Sequence, residues 1–285
     1  MRRPLAASAL ALLALASLYW EVVAGLVRTW WTNDDYSHGF LIAPICAYLV
    51  YERRRRLAAT PASPSLLGIA VVASGLLLLV AGRLGAELFL TRVSLVVVVA
   101  GAVLFVLDRR HLRLLAFPLG CSLLMIPLPS IVFNEITFPL QLLASRVAEM
   151  TLAALRIPVL REGNVIVLAT TTLEVAEACS GVRSLMSLLA LGVVYGYFTE
   201  DRRTRRVLLA AATAPIAVVA NACRVAGTGV AAHFFGAAAA DGIFHGFAGW
   251  LVFLTAVAML FLFQRAISTL GTPRRLGRVT AEIAS

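Results

Sequence analysis

The sequence predicts an all-α polytopic membrane protein of about eight transmembrane helices, with one longer outer-face segment holding an amphipathic helix and a small β-hairpin. Three observations predict it. Hydrophobic residues make up 60% of the 285 and charged ones 14%, with a mean hydropathy of +0.89, far from the balance of soluble domains. Apolar stretches recur at close to the roughly 20 residues a spanning helix needs. Finally, every basic residue is arginine, and the arginines gather between the apolar stretches, as in Arg53-Arg54-Arg55-Arg56 and Arg202-Arg203-Thr204-Arg205-Arg206. Such runs mark cytoplasmic loops. The net charge of +10 therefore faces membrane lipids, and nucleic acid is excluded as a partner. The four cysteines (Cys46, Cys121, Cys179 and Cys223) show no CxxC pair and no metal-ligand spacing. Neither a metal nor a disulfide scaffold is expected, and no cofactor.

In chain order, Arg2-Arg3 precedes an apolar run that continues to about Val27 without a small-residue cleavage site, so it reads as an uncleaved span. The spans fall near residues 4–27, 39–52, 66–82, 93–108, 114–129, 182–199, 207–227 and 244–264. With the N-terminus inside, the inner segments carry Arg2, Arg3, Arg53 to Arg56, Arg109, Arg110, Arg113, Arg202, Arg203, Arg205, Arg206, Arg265, Arg274, Arg275 and Arg278. That is 17 of the 25 arginines, so both termini are expected in the cytoplasm. Residues 1–265 form the membrane domain and 266–285 a short basic tail.

Two segments then lie outside. Residues 28–38 form an acidic, aromatic loop whose Trp30, Trp31 and Tyr36 suit the interfacial belt. Residues 130–181 are longer. Ile136, Leu140, Leu143, Val147 and Met150 make an apolar stripe, read as a helix lying on the membrane or capping the bundle. Pro158 and Gly163-Asn164 break it. Val165-Ile166-Val167-Leu168 and Leu173-Glu174-Val175 follow as a hairpin.

Three polar groups reach that same face. Cys179 stands between Glu174, Glu177, Ser180 and Arg183, with Gly181 allowing a turn before the next helix. A thiol at a helix N-terminus is stabilised as thiolate by the dipole and nearby cations. Cys46, Cys121 and Cys223 read as apolar filler. Arg224, in Asn221-Ala222-Cys223-Arg224-Val225, is costly to bury, by roughly 2.5–3.5 kcal/mol. It is either a snorkelling anchor or a donor fixed toward developing negative charge. His245 opens the last span, and Asp241, four residues earlier, can orient its ring. His38 and His233 compete for its role, and His111 lies on the opposite side. Thiol, guanidinium and imidazole at one depth are the minimal kit for thiol acyl transfer.

These motifs resemble the exosortase/archaeosortase family of integral membrane cysteine transpeptidases. The resemblance rests on Ala178-Cys179-Ser180-Gly181-Val182-Arg183-Ser184, Asn221-Ala222-Cys223-Arg224-Val225 and His245-Gly246 followed by Gly249. It extends to Tyr36-Ser37-His38-Gly39, Pro127-Leu128-Pro129 and Arg161-Glu162-Gly163-Asn164-Val165-Ile166, in order, over roughly residues 30 to 265. It implies catalytic roles for Cys179, Arg224 and His245. It also implies as partners secreted proteins bearing a C-terminal tail of a Pro-Glu-Pro-like motif, an apolar helix and a basic cluster, which are passed to an envelope acceptor. The setting it implies is a bacterial inner membrane.

In that chemistry the Cys179 thiolate forms a thioester, Arg224 stabilises the oxyanion, and His245 serves as acid and then base. The rival class is a transporter or lipid-flipping protein. Against it, the polar groups gather at one face, and the inner halves of the spans hold almost no ionisable residue.

Overall fold

The computed structural model describes residues 2–169, 172–174, 182–236 and 243–270. Ten α-helices and a small sheet occur among them. In order they are α1 (Arg2–Thr32), α2 (Gly39–Glu52), α3 (Arg54–Ala59), α4 (Leu67–Leu84), α5 (Leu88–Val106), α6 (Arg109–Ser122) and α7 (Ser130–Ala154). The strands β1 (Val159–Glu162), β2 (Val165–Leu168) and β3 (Thr172–Glu174) follow, then α8 (Val182–Thr199), α9 (Arg203–Phe235) and α10 (Ile243–Leu270). The chain divides into two compact units, Met1–Glu135 and Ile136–Ser285.

Among the described residues, four helices are long and apolar enough to cross a membrane: Leu67–Leu84, Leu88–Val106, Arg203–Phe235 and Gly249–Thr269. They match the expected third, fourth, seventh and eighth spans. The expected total of eight is not confirmed among the described residues. α2 has 14 residues, about 21 Å of rise against a hydrocarbon core of about 30 Å. The described apolar part of α8 is Ser184–Thr199, also short. The fifth span is broken. α6 runs into a 3-10 turn at Leu123–Met125 and stops before Pro127-Leu128-Pro129, and α7 starts anew at Ser130. Counting that bent pair as one span gives five. The first expected span falls partly outside the described side chains.

In the first unit, α4 and α5 pair antiparallel along a seam of small residues. A Cβ at Gly75 would sit 2.6 Å from Val98 Cγ2, and one at Gly82 would sit 2.8 Å from Thr91 Cγ2, so the seven-residue spacing of these glycines sets the close approach. α1 joins them through Tyr19 and Ser94, whose hydroxyls lie 3.1 Å apart. The buried Arg92 reinforces the joint by donating to Thr29 Oγ1 at 2.7 Å.

In the second unit, α8, α9 and α10 share a core of Leu188, Leu209, Ile216, Ala217, Ala220, Ala256 and Leu260. At one end of it Glu200, 3% exposed, accepts from Gln264 Nε2 at 2.8 Å and pairs with Arg205 Nη1 at 3.4 Å. Tyr195 donates to the same glutamine at 3.2 Å. One buried carboxylate thus ties all three helices.

The sheet has three strands where two were expected, in the order β1-β2-β3, antiparallel throughout. The extra strand, Val159–Glu162, follows Pro158, which fixes an extended entry. It turns back at Gly163, whose φ of +65° favours glycine. β3 starts one residue earlier than expected, at Thr172, and Val175 lies outside the described residues. The expected apolar stripe of α7 is real and faces outward: Ile136, Leu143, Val147 and Met150 are exposed. Its small and polar side, Thr137, Gln141, Ala144, Ser145, Ala148 and Leu152, is buried.

Candidate functional site

Arg224 sits two thirds of the way along α9, half-buried, with Asn221, Ala222, Val225 and Ala226 buried around it. Its guanidinium lies against Gly249 of α10. A Cβ at Gly249 would stand 3.4 Å from Arg224 Nη2 and 3.5 Å from Cζ. Gly249 is one helical turn beyond His245, so the two positions share one face of α10. The α9–α10 seam therefore carries Arg224 on one side and the His245 position on the other. The His245 side chain itself, Asp241, Glu177 and Cys179 lie outside the described residues.

On the C-terminal side of Cys179 the described chain resumes at α8, which begins at Val182. On the other side β3 ends at Glu174. The sheet is anchored on α7 and α9. Ile166 and Leu168 of β2 share a buried cluster with Ala144, Ala148 and Leu152 of α7 and with Val225, Ala226 and Ala232 of α9. Val225 and Ala226 follow Arg224 in sequence but lie about 100° and 200° further round α9. The sheet and α10 thus pack on different faces of α9.

The rival histidines are placed otherwise. His38 Nε2 lies 3.0 Å from the Leu124 carbonyl, which only an Nε2–H can satisfy. Trp30 Nε1 donates to the Met125 carbonyl at 2.9 Å, and the Tyr36 hydroxyl bonds the Leu128 backbone. The two ring donors meet carbonyls that the break before Pro127 and Pro129 strips of helical partners. Backbone groups at membrane depth need such internal satisfaction. Tyr36-Ser37-His38-Gly39 is accordingly a clamp on Pro127-Leu128-Pro129, which explains two motifs that the sequence presented separately.

His111 has both ring nitrogens engaged, Nδ1 with Asp108 Oδ1 at 3.0 Å and Nε2 with the Leu57 carbonyl at 3.2 Å. Burial raises the Asp108 carboxyl, but bonds from the His111 backbone and ring and from the Arg110 backbone outweigh it and hold it below the ordinary carboxylate range. His233 stands nine residues beyond Arg224 on α9, about 180° around the helix, away from the α10 seam.

Among the other cysteines, Cys46 and Cys121 hydrogen-bond each other. Cys223, on the candidate span α9, is exposed. The sequence did not show three further residues, Ser145, Glu149 and Arg161, that fasten the hairpin to α7. Their one signal was Arg161 within the Arg161-Glu162-Gly163-Asn164 motif.

The family model for transmembrane exosortases matches residues 30–262. That stretch starts at the Trp30 of the clamp and runs past Gly249 into the second half of α10. Comparison with curated proteins and with solved structures gave no match. Exosortases are, at the general level, membrane cysteine transpeptidases that act on secreted proteins bearing sorting signals. With its apolar spans, its arginine-bounded loops and a match over most of its length, this chain belongs to the transmembrane exosortase family.

Proposed function

We propose that the protein is a membrane-embedded cysteine transpeptidase that cleaves C-terminal sorting tails through a thioester on Cys179. The tail consists of a Pro-Glu-Pro-like motif, an apolar helix and a basic cluster, and the secreted protein passes to an envelope acceptor. The single observation that carries this reading is the seating of the Arg224 guanidinium against Gly249, one turn along α10 from the His245 position.

The reaction follows from those groups. The Cys179 sulfur attacks the scissile carbonyl carbon, and the carbonyl electron pair moves to oxygen, where the Arg224 fork donates to the oxyanion. The tetrahedral adduct collapses by breaking the C–N bond. His245 gives its proton to the departing amine, leaving a thioester and a neutral imidazole. The acceptor then loses a proton to His245, attacks the thioester and expels the thiolate. The arginine bias puts this chemistry on the outer face of the inner membrane, with both termini inside.

Arg224→Lys tests the guanidinium. Lysine keeps the charge and can still snorkel, but it lacks the planar fork. The variant is expected to accumulate normally and lose processing by about 100-fold or more, the scale of one oxyanion donor. Near-normal processing would reduce Arg224 to an anchor. Labelling of Cys179 by a membrane-impermeant maleimide in intact spheroplasts checks its side, and labelling only after permeabilisation would reverse the topology.

A further inference from the structure

Six exposed arginines crowd one end of the first unit. Arg54, Arg55 and Arg56 lie on α3, and Arg109, Arg110 and Arg113 open α6. The buried ring of His111 brings the two runs together. Its Nε2 donates to the Leu57 carbonyl of α3 at 3.2 Å, across 54 positions of sequence, while Nδ1 lies 3.0 Å from Asp108 Oδ1. Asp108 in turn caps α6 by accepting from the backbone N–H groups of Arg110 and His111. The Ser63 N–H adds a second tie, donating to the Leu107 carbonyl at 2.7 Å.

Holding like charges together is unfavourable unless opposite charge answers them. The protein supplies little. Glu52 is exposed, Asp108 is buried in the latch, and among the described residues none of the six arginines is ion-paired. Arg54 instead stacks 3.8 Å over the Tyr51 ring and donates to the Tyr51 carbonyl at 3.0 Å. A solvated arginine run needs no second run beside it, yet a buried His–Asp pair holds these two side by side. The membrane can supply the missing charge. α5 is a candidate span that ends at Val106, just before Arg109, so the cluster stands at the headgroup layer where that helix leaves the hydrocarbon.

We propose that α3 and the start of α6 form one binding site for the phosphate headgroup of an anionic phospholipid. Arg55 and Arg56 from one side and Arg110 and Arg113 from the other donate to the phosphate oxygens, and the His111 latch keeps the two halves at one spacing. The proposal does not depend on the reading of Cys179 given above.

The test is native mass spectrometry of the full-length protein in a neutral detergent, titrated with phosphatidylglycerol and, as a zwitterionic control, with phosphatidylcholine. The wild type is expected to hold one phosphatidylglycerol about 100-fold tighter than phosphatidylcholine. Each arginine removed should weaken it roughly fivefold, the scale of one basic side chain at an anionic surface. Arg55→Gln with Arg56→Gln, and Arg110→Gln with Arg113→Gln, should therefore each lower the affinity about 25-fold. One shared site requires that either pair weaken the same bound lipid. Wild-type affinity in either double variant would mean two independent solvated runs and overturns the proposal. So does equal retention of the two lipids by the wild type. Displacement of the lipid by millimolar inorganic phosphate would mark a free-anion site and overturns it too. His111→Phe keeps a ring and all six arginines but cannot bond Leu57 or Asp108. It is expected to weaken phosphatidylglycerol about fivefold, the scale of one lost contact, and unchanged affinity there contradicts a site built by the latch. Should that variant fail to accumulate, the two double variants decide alone, because they replace only exposed side chains.

Discussion

Gly249 sets how far α10 stands from the Arg224 guanidinium. A methyl group there just reaches ordinary contact at 3.4 Å, so Gly249→Ala is expected to process substrate within about threefold of wild type. Gly249→Leu drives a branched side chain into the guanidinium and displaces it. We expect normal accumulation but at least about 30-fold slower processing, since a displaced donor no longer meets the oxyanion. Equal activity of the leucine variant would show that Arg224 works from elsewhere. Arg224 was legible in the sequence because a lone guanidinium inside an apolar run is expensive and needs a reason. Gly249 was legible only as a letter in a motif, because what it makes room for is a side chain 25 positions away. His38 was read as a rival base. Its commitment to the Leu124 carbonyl depends on a chain break whose hydrogen-bonding demand no local pattern displays.

At the scale of elements, α8, α9 and α10 are joined by apolar packing along their length and by Glu200 at one end. Removing that carboxylate leaves Arg205, 19% exposed, and Gln264 without their acceptor. Glu200→Ala is therefore expected to destabilise the protein by about 3–5 kcal/mol, the range for breaking a buried pair from one side. Glu200→Gln, which keeps an acceptor for Gln264, should cost less. Thermal unfolding in detergent checks both, and equal melting of Glu200→Ala and wild type would show that the apolar seam suffices. The strand pair β2–β3 was legible from its β-branched run and turn residues. β1 was not, because Val159-Leu160-Arg161-Glu162 mixes strand-like and helix-like preferences, and only pairing with β2 decides between them. α7 was legible as amphipathic. The work of its small face, holding the sheet, was hidden because hydropathy weighs large side chains.

Over the whole molecule, the four long apolar helices were legible because length and hydropathy alone identify them. The expected total of eight goes unconfirmed where helices are short or broken, as at Ile126–Pro129, since a sliding window averages across a break. Membership of the exosortase family accounts for the retained order of motifs from Trp30 to α10. The clamp on the Leu124 and Met125 carbonyls in the first unit fixes non-helical backbone with side-chain hydrogen bonds. The central claim is that Cys179 carries the acyl group. The most direct measurement is the intact mass of the protein quenched in acid during turnover of a tailed peptide. The account predicts an adduct of the acyl half of the substrate, mapped to Cys179, released by neutral hydroxylamine and absent from Cys179→Ala, which should also leave the substrate uncut. Cleavage of the tail by Cys179→Ala, or an adduct mapped to another residue, would contradict it.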